Sequence, residues 1–226
     1  TTAGEIGPTG YQDGSTVAIS FPKSHFTVVR ERIDGLGDFS LESGQKVAAA
    51  LSNALRREGK SPSPRDTFAL LLIDGLSVRE EIVASSIMGS LGELHLVGGS
   101  AGDGLSFEQT SVLWDGEFRP NRAVVALLQT DLPFRVFKTQ HFVPSERKLV
   151  VTGARAAERV VTELNGEPAA QEYARAIGVP VEQLDPTTFA THPLVVRIGG
   201  NSFVRAVQKR NSDDSLTLFC AIEEGV

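Results

Sequence analysis

VGGSAGDG, Val97 to Gly104, is the stretch on which the reading of the chain turns. Its G-G-S-A-G core fits the G-x-S-x-G nucleophile elbow of serine hydrolases, in which a strand makes a sharp turn into a helix and an acid and a histidine follow later in the chain. The strand is present, in ELHLVGGS (93–100), and Asp185 and His192 stand downstream. The helix is not. DGLSFEQTS contains a glycine and runs into SVLWDGEFRP (111–120), where Asp115-Gly116 between β-type residues marks a hairpin. A hydrolase using Ser100 is therefore the alternative reading, and the stretch needs another account.

A repeat supplies it. T-A-G-E (Thr2 to Glu5) is followed by TVAISF and HFTVVRERI; S-A-G-D (Ser100 to Asp103) is followed by AVVALL and PFRVFKTQH. Each copy gives hydroxyl-Ala-Gly-acid, an apolar strand and an aromatic-led strand, and the longer spacing in the second copy is accounted for by the extra hairpin. Such self-similarity predicts a duplicated α/β unit. The first copy lacks the strand, helix and strand that precede the second, so sequence before Thr1 is expected. The repeated element makes Thr2, Gly4, Glu5, Gly98, Gly99, Ser100, Gly102 and Asp103 the candidate ligand-binding residues. The glycines would permit turns with positive φ or a nest of backbone amides facing a pocket, with Ser100 and Asp103 as polar contacts. A P-loop is excluded, because no Gly-Lys-Ser/Thr follows.

Outward from there, residues 16–21 and 26–33 read as strands and 38–59 as a helix with Ser40 as N-cap. FALLLIDG (68–75) is a buried strand and turn, and Ser77 is the expected cap of a helix reaching Gly89–Gly92. Residues 122–129 and 134–142 are further strands. The composition changes beyond Val143, which places a division at 144/145. There follow a strand at 148–154, a strand with an Asn-Gly turn at 159–168, a helix at 169–178 ended by Gly178, and a three-stranded antiparallel meander over 194–222. The fold class expected is α+β: duplicated α/β units with mixed sheets flanked by helices in 1–144, then an antiparallel β-rich subdomain in 145–226. The chain stops straight after a strand, and continuation beyond Val226 is also expected.

A net charge of −6 argues against a nucleic-acid surface, which needs clustered cations. The single cysteine, Cys220, cannot make an internal disulfide, which suits a reducing, cytoplasmic setting. No apolar run reaches the roughly 18 residues of a membrane span. Glu80-Glu81 and Glu223-Glu224 are adjacent pairs that do not share a face, so neither is a carboxylate pair for acid–base chemistry.

Taken together, TTAGEI, VGGSAGDG, SVLWDG and AVVALL resemble the N-terminal half of the FIST domain. VTGA, VVTELNGEPAAQEYARAIGV and the run from FATHPLVVRIGG to CAIEEG are similar to its C-terminal half. The resemblance runs in order along nearly the whole chain. It implies a non-catalytic sensory domain of bacterial signal transduction, binding a small molecule and passing the signal to a histidine kinase or similar output partner. One branch of the family binds haem and senses nitric oxide; other members are proposed to bind amino-acid-like ligands without haem.

Haem needs an axial ligand, most simply a histidine in an apolar setting. Of the four histidines, His141 ranks first, at the end of the second repeat's aromatic strand with Phe137 and Phe142 as candidate porphyrin contacts; His192 ranks second. His25 and His95 read as strand residues. Tyr11 and Tyr173 are weaker oxygen candidates. The lack of Cys-x-x-Cys-His excludes covalent c-type attachment.

Overall fold

A computed structural model describes residues 1–226 except Leu105, His141 and Gly199. The chain forms two compact units, Thr1–Lys138 and Thr139–Val226.

In the first unit, β1 (Glu5–Gly7) and β2 (Gly10–Gln12) make a small hairpin. β3 (Phe26–Asp34) follows, then α1 (Leu41–Arg57), β4 (Thr67–Asp74), α2 (Glu80–Leu91) and β5 (His95–Ala101). β6 (Val112–Trp114) and β7 (Glu117–Arg119) form the hairpin turned by Asp115-Gly116, and β8 (Arg122–Thr130) ends the series. The main sheet runs β3-β8-β4-β5 and is mixed: β4 and β5 are parallel, joined through α2, while β8 is antiparallel to both β3 and β4. α1 starts where expected, because Ser40 Oγ accepts the Ser43 N–H at 3.2 Å. The two helices cover one face of the sheet. Leu51 and Leu55 of α1 and Val83 and Ile87 of α2 meet Ala69, Leu71 and Ile73 of β4 and Ala123, Val125 and Leu127 of β8.

The second unit contains β9 (Val151–Arg155), β10 (Val160–Leu164), β11 (Glu167–Pro168), α3 (Ala169–Ile177), α4 (Pro186–Thr191), β12 (Leu194–Ile198), β13 (Asn201–Arg205), β14 (Val207–Arg210) and β15 (Leu216–Leu218). β10 lies in an antiparallel sheet with β9, β11 and β15, and β14 extends it beyond β15. α3 ends at Gly178, which takes the left-handed conformation as expected. Its Ala169, Ala170 and Tyr173 pack with Val161, Leu164, Val207, Leu216 and Leu218 into a separate core. The fold is α+β, with a mixed sheet flanked by helices and antiparallel strands toward the C-terminus.

Four expectations are corrected. Residues 16–21 form no strand, and Val17 and Ile19 are exposed. The described residues of 134–142 form none either. Neither stretch lies beside an edge to which it pairs, and an isolated strand has no ladder to satisfy its backbone. One of the two strands in each repeat copy thus forms, β3 in the first and β8 in the second. The second helix begins at Glu80 rather than beside Ser77; Ser77 Oγ instead donates to the Asp74 carbonyl at 2.7 Å, closing a turn. The C-terminal meander is divided: among the described residues β12 and β13 pair only with each other, while β14 and β15 join the sheet of β10, because Val207, Leu216 and Leu218 complete that core.

Candidate functional site

In an α/β unit, ligands collect beyond the carboxyl ends of parallel strands. Here those ends are Asp74 of β4 and Ala101 of β5, opposite one another in the register. Asp74 is only 4% exposed. Its carboxylate accepts the Leu76 N–H at 2.9 Å, the Asn121 N–H and the Thr110 hydroxyl. The sequence reading missed this residue. It ties three connections together at the strand end, and the Asp-Gly pair at 74–75 was its only local signal.

The two hydroxyl-Ala-Gly-acid segments meet at this end. The Gly102 N–H donates to the Thr1 carbonyl at 3.2 Å, the Thr1 nitrogen donates to the Ser111 carbonyl at 2.8 Å, and the Ser111 N–H donates to Thr1 Oγ1 at 3.0 Å. A Cβ on Gly102 would stand 3.0 Å from the Ala3 nitrogen and 3.1 Å from Ala3 Cβ, so the close approach depends on a glycine there. Thr1–Ala3 is thereby held between the end of β5 and the segment leading to β6.

The acids of the two segments act alike and locally. Glu5 accepts from the Thr2 hydroxyl, from Ser15 Oγ at 2.9 Å and from the Ser15 N–H at 3.0 Å. These bonds, the one from Thr2 foremost, hold its carboxyl below the usual range. Asp103 accepts the N–H groups of Gln109 at 2.9 Å, Glu108 at 2.7 Å and Phe107 at 3.0 Å, which lower its pKa in the same way. Both carboxylates thus pin their own loops. Gly4 lies under the ring of Tyr11, whose hydroxyl is 2.7 Å from Asp13 Oδ1 and 2.8 Å from the Ala3 carbonyl.

The glycines do not build a turn-like nest at 98–100. Gly98, Gly99 and Ser100 are residues of β5, the edge strand of the sheet, and all three are exposed. Gly98 is required for another reason: a Cβ there would fall 1.8 Å from the Leu71 carbonyl oxygen on β4. Ser100 Oγ lies 3.5 Å from Glu80 Oε1, a long contact, and none of its hydrogen bonds among the described residues is to a histidine. Ser100 sits in the strand and no helix follows among the described residues before β6, so the elbow geometry is absent there.

The haem candidates belong to both units. His141 lies outside the described residues. Phe137 is 75% exposed and Phe142 half-buried. His192 caps the C-terminal end of α4, with Nδ1 3.0 Å from Thr191 Oγ1 and 3.3 Å from the Thr188 carbonyl. His25 Nδ1 pairs with Asp131 Oδ1 at 3.0 Å, and His95 is exposed on β5. Tyr173 is buried: burial pushes its phenol up to about 12, and its hydroxyl donates to the His192 carbonyl at 2.7 Å. Among the described residues no cluster of three or more His, Cys, Asp or Glu side chains could hold a metal ion, and no helix is long and apolar enough to cross a membrane.

No curated protein and no solved structure matches the chain. Two family matches cover it in order, the FIST N domain over residues 1–167 and the FIST C domain over residues 169–226. The FIST N match continues past the end of the first compact unit into β10 and β11, so the family boundary and the packing boundary differ. FIST domains are small-ligand-sensing domains of signal transduction, and this chain belongs to the FIST family.

Proposed function

We propose that this chain is a non-catalytic sensor of a small polar molecule, bound where Thr1–Ala3 meets Ser100–Asp103, and that it reports to an output protein such as a histidine kinase in a bacterial cytoplasm. The observation that carries the reading is the convergence of both hydroxyl-Ala-Gly-acid segments at the carboxyl end of the parallel pair β4–β5. Thr1–Ala3 is tied to the rest of the site by a few backbone bonds, and Glu5 and Asp103 brace the loops on either side. A ligand that prefers one spacing of the two segments shifts the population toward it, and the difference in affinity is the signal.

The test is a thermal-shift screen of the full chain with the twenty amino acids, repeated on Thr2→Val and Ser100→Ala. The reading expects an amino acid that raises the melting temperature and loses affinity in both variants. Turnover of a 4-nitrophenyl ester that disappears in Ser100→Ala would replace the sensor by the hydrolase.

A haem-based version of the same sensing, responding to nitric oxide, is favoured by one feature. His192 Nδ1 is held by a hydroxyl and lies near a carbonyl, and anchoring of one ring nitrogen is how metal-ligating histidines are oriented. His141, with Phe137 and Phe142 beside it in sequence, remains the first candidate ligand. Haem would supply the iron that takes the gas; the chain would supply the axial imidazole. Reconstitution with haemin should then give a sharp Soret band that moves with nitric oxide and is lost in His141→Ala or His192→Ala. A band like that of free haemin, unchanged in both variants, would remove the haem version and leave the polar-ligand reading standing.

A further inference from the structure

At the other end of the same sheet, where β8 ends and β3 and β4 begin, the first unit carries a cleft of about 740 Å³. Gln129 forms part of its wall. This side chain is 8% exposed, and its Nε2 donates to the Ser61 carbonyl at 3.0 Å. The same amide also serves the Asp66 carboxylate. Burial works to raise the pKa of that acid, but the bonds from Thr67, Gln129 and the Ser63 N–H outweigh it and leave it lowered. A flipped amide would set its oxygen against a carbonyl and a carboxylate, so the orientation of Gln129 is determined by its neighbours. Its Oε1 is then left buried without a partner among the described residues. A buried acceptor with no donor is destabilising, and such orphans point to a missing group.

The rest of the lining says what that group is attached to. Lys23, Lys60 and Arg65 line the cleft, and no side-chain hydrogen bond or ion pair is seen for them among the described residues. Against these three cations stand two carboxylates, Asp66 and Asp131, and both are already engaged, Asp66 with Thr67 and Asp131 with His25. In a chain of net charge −6 this is a local excess of unpaired positive charge, which draws anions into a concave site. An anion alone would leave Gln129 Oε1 unsatisfied, because that oxygen needs a donor. We infer that the cleft binds a small hydroxylated organic anion, its charged head held by Lys23, Lys60 and Arg65, and that binding shifts the cleft wall so that a hydroxyl reaches and donates to Gln129 Oε1, which is sealed from solvent in this structure. This site is distinct from the segment junction at the carboxyl end of β4–β5.

The experiment is calorimetric titration of the full chain with sn-glycerol 3-phosphate, glycerate and propyl phosphate. The first two share a hydroxylated three-carbon frame and differ in the anionic head, which separates a phosphate ligand from a carboxylate one. The third has the phosphate but no hydroxyl. Binding of either hydroxylated anion is expected, and glycerol 3-phosphate should exceed propyl phosphate by about tenfold, the share of one buried hydrogen bond. Lys60→Ala and Arg65→Ala, both at exposed positions, should each weaken binding roughly tenfold, since each removes a charge-assisted bond. Gln129→Met should abolish the preference over propyl phosphate while keeping anion binding. If that variant fails to fold, the side-chain amide resonances of Gln129 in the unaltered protein provide the same readout, shifting with glycerol 3-phosphate and not with propyl phosphate. Failure of both hydroxylated anions to bind, affinities indifferent to Lys60→Ala and Arg65→Ala, or equal affinity for propyl phosphate would each overturn the assignment. None of these outcomes bears on Thr2→Val or Ser100→Ala, so the sensor reading stands or falls separately.

Discussion

Asp103 shows that a candidate contact residue can also brace its own loop. A carboxylate beside glycines suggests a ligand contact, yet its oxygens accept three backbone N–H groups of the following loop. Its pKa is lowered in the folded chain, so its contribution is present above the unfolded carboxylate value and is lost as pH falls through the folded value. Amide exchange at Phe107, Glu108 and Gln109, measured by NMR and corrected for intrinsic rates, should therefore accelerate on acidification below the usual carboxylate range. Asp103→Asn should show that faster exchange already at neutral pH. Gly98 and Gly99 make a second residue-scale contrast. A Cβ at Gly98 collides with the Leu71 carbonyl, whereas one at Gly99 meets nothing within 4 Å. Thermal denaturation should show Gly98→Ala costing about 3 kcal/mol, as over-packing against backbone does. Gly99→Ala should stay within about 0.5 kcal/mol of the parent.

Among the elements, β4 was the most legible. FALLLI has the length and continuity of a buried strand, and β4 lies inside the sheet between β8 and β5. Its two faces are unequal, however. Ile73 lies under the helices at 2% exposure, while Leu72, on the opposite face, is 46% exposed. Ile73→Ala should cost about 3 kcal/mol and Leu72→Ala less than about 1 kcal/mol in urea melts, since only the first leaves a cavity. The helix α1 was legible at both ends, and Ser40→Ala should cost about 1 kcal/mol for the lost cap. Residues 16–21 and 134–142 show the limit. Their apolar pattern is as strand-like as that of β3, but a strand exists only where a neighbour completes its ladder, and pattern carries no information about the neighbour. The failed start at Ser77 has a local cause: Val78 takes a left-handed φ of 56°, so helical backbone cannot run on from Ser77 and begins only at Glu80.

For the whole molecule, two cores form in chain order, one under α1 and α2 and one under α3. Sensing adds a thermodynamic signature. An amino acid that binds the folded chain at a hundred times its Kd should raise the unfolding free energy by about 2.7 kcal/mol, as read from chemical denaturation with and without it. By itself the sequence determined the fold class, the turns at Asp115-Gly116 and Asn165-Gly166, most limits of the helices α1 to α3 and the family, because these depend on local period, turn chemistry and the order of motifs. It also singled out the two hydroxyl-Ala-Gly-acid segments. Only the tertiary structure decided that they touch through Gly102, that their acids brace loops, that Asp74 joins three connections, and that Gln129 is left with an orphaned oxygen in a cation-lined cleft. Each of these is a contact between residues far apart in the chain, set by sheet register and by which hydrogen-bond partner arrives first, and neither is written in local pattern.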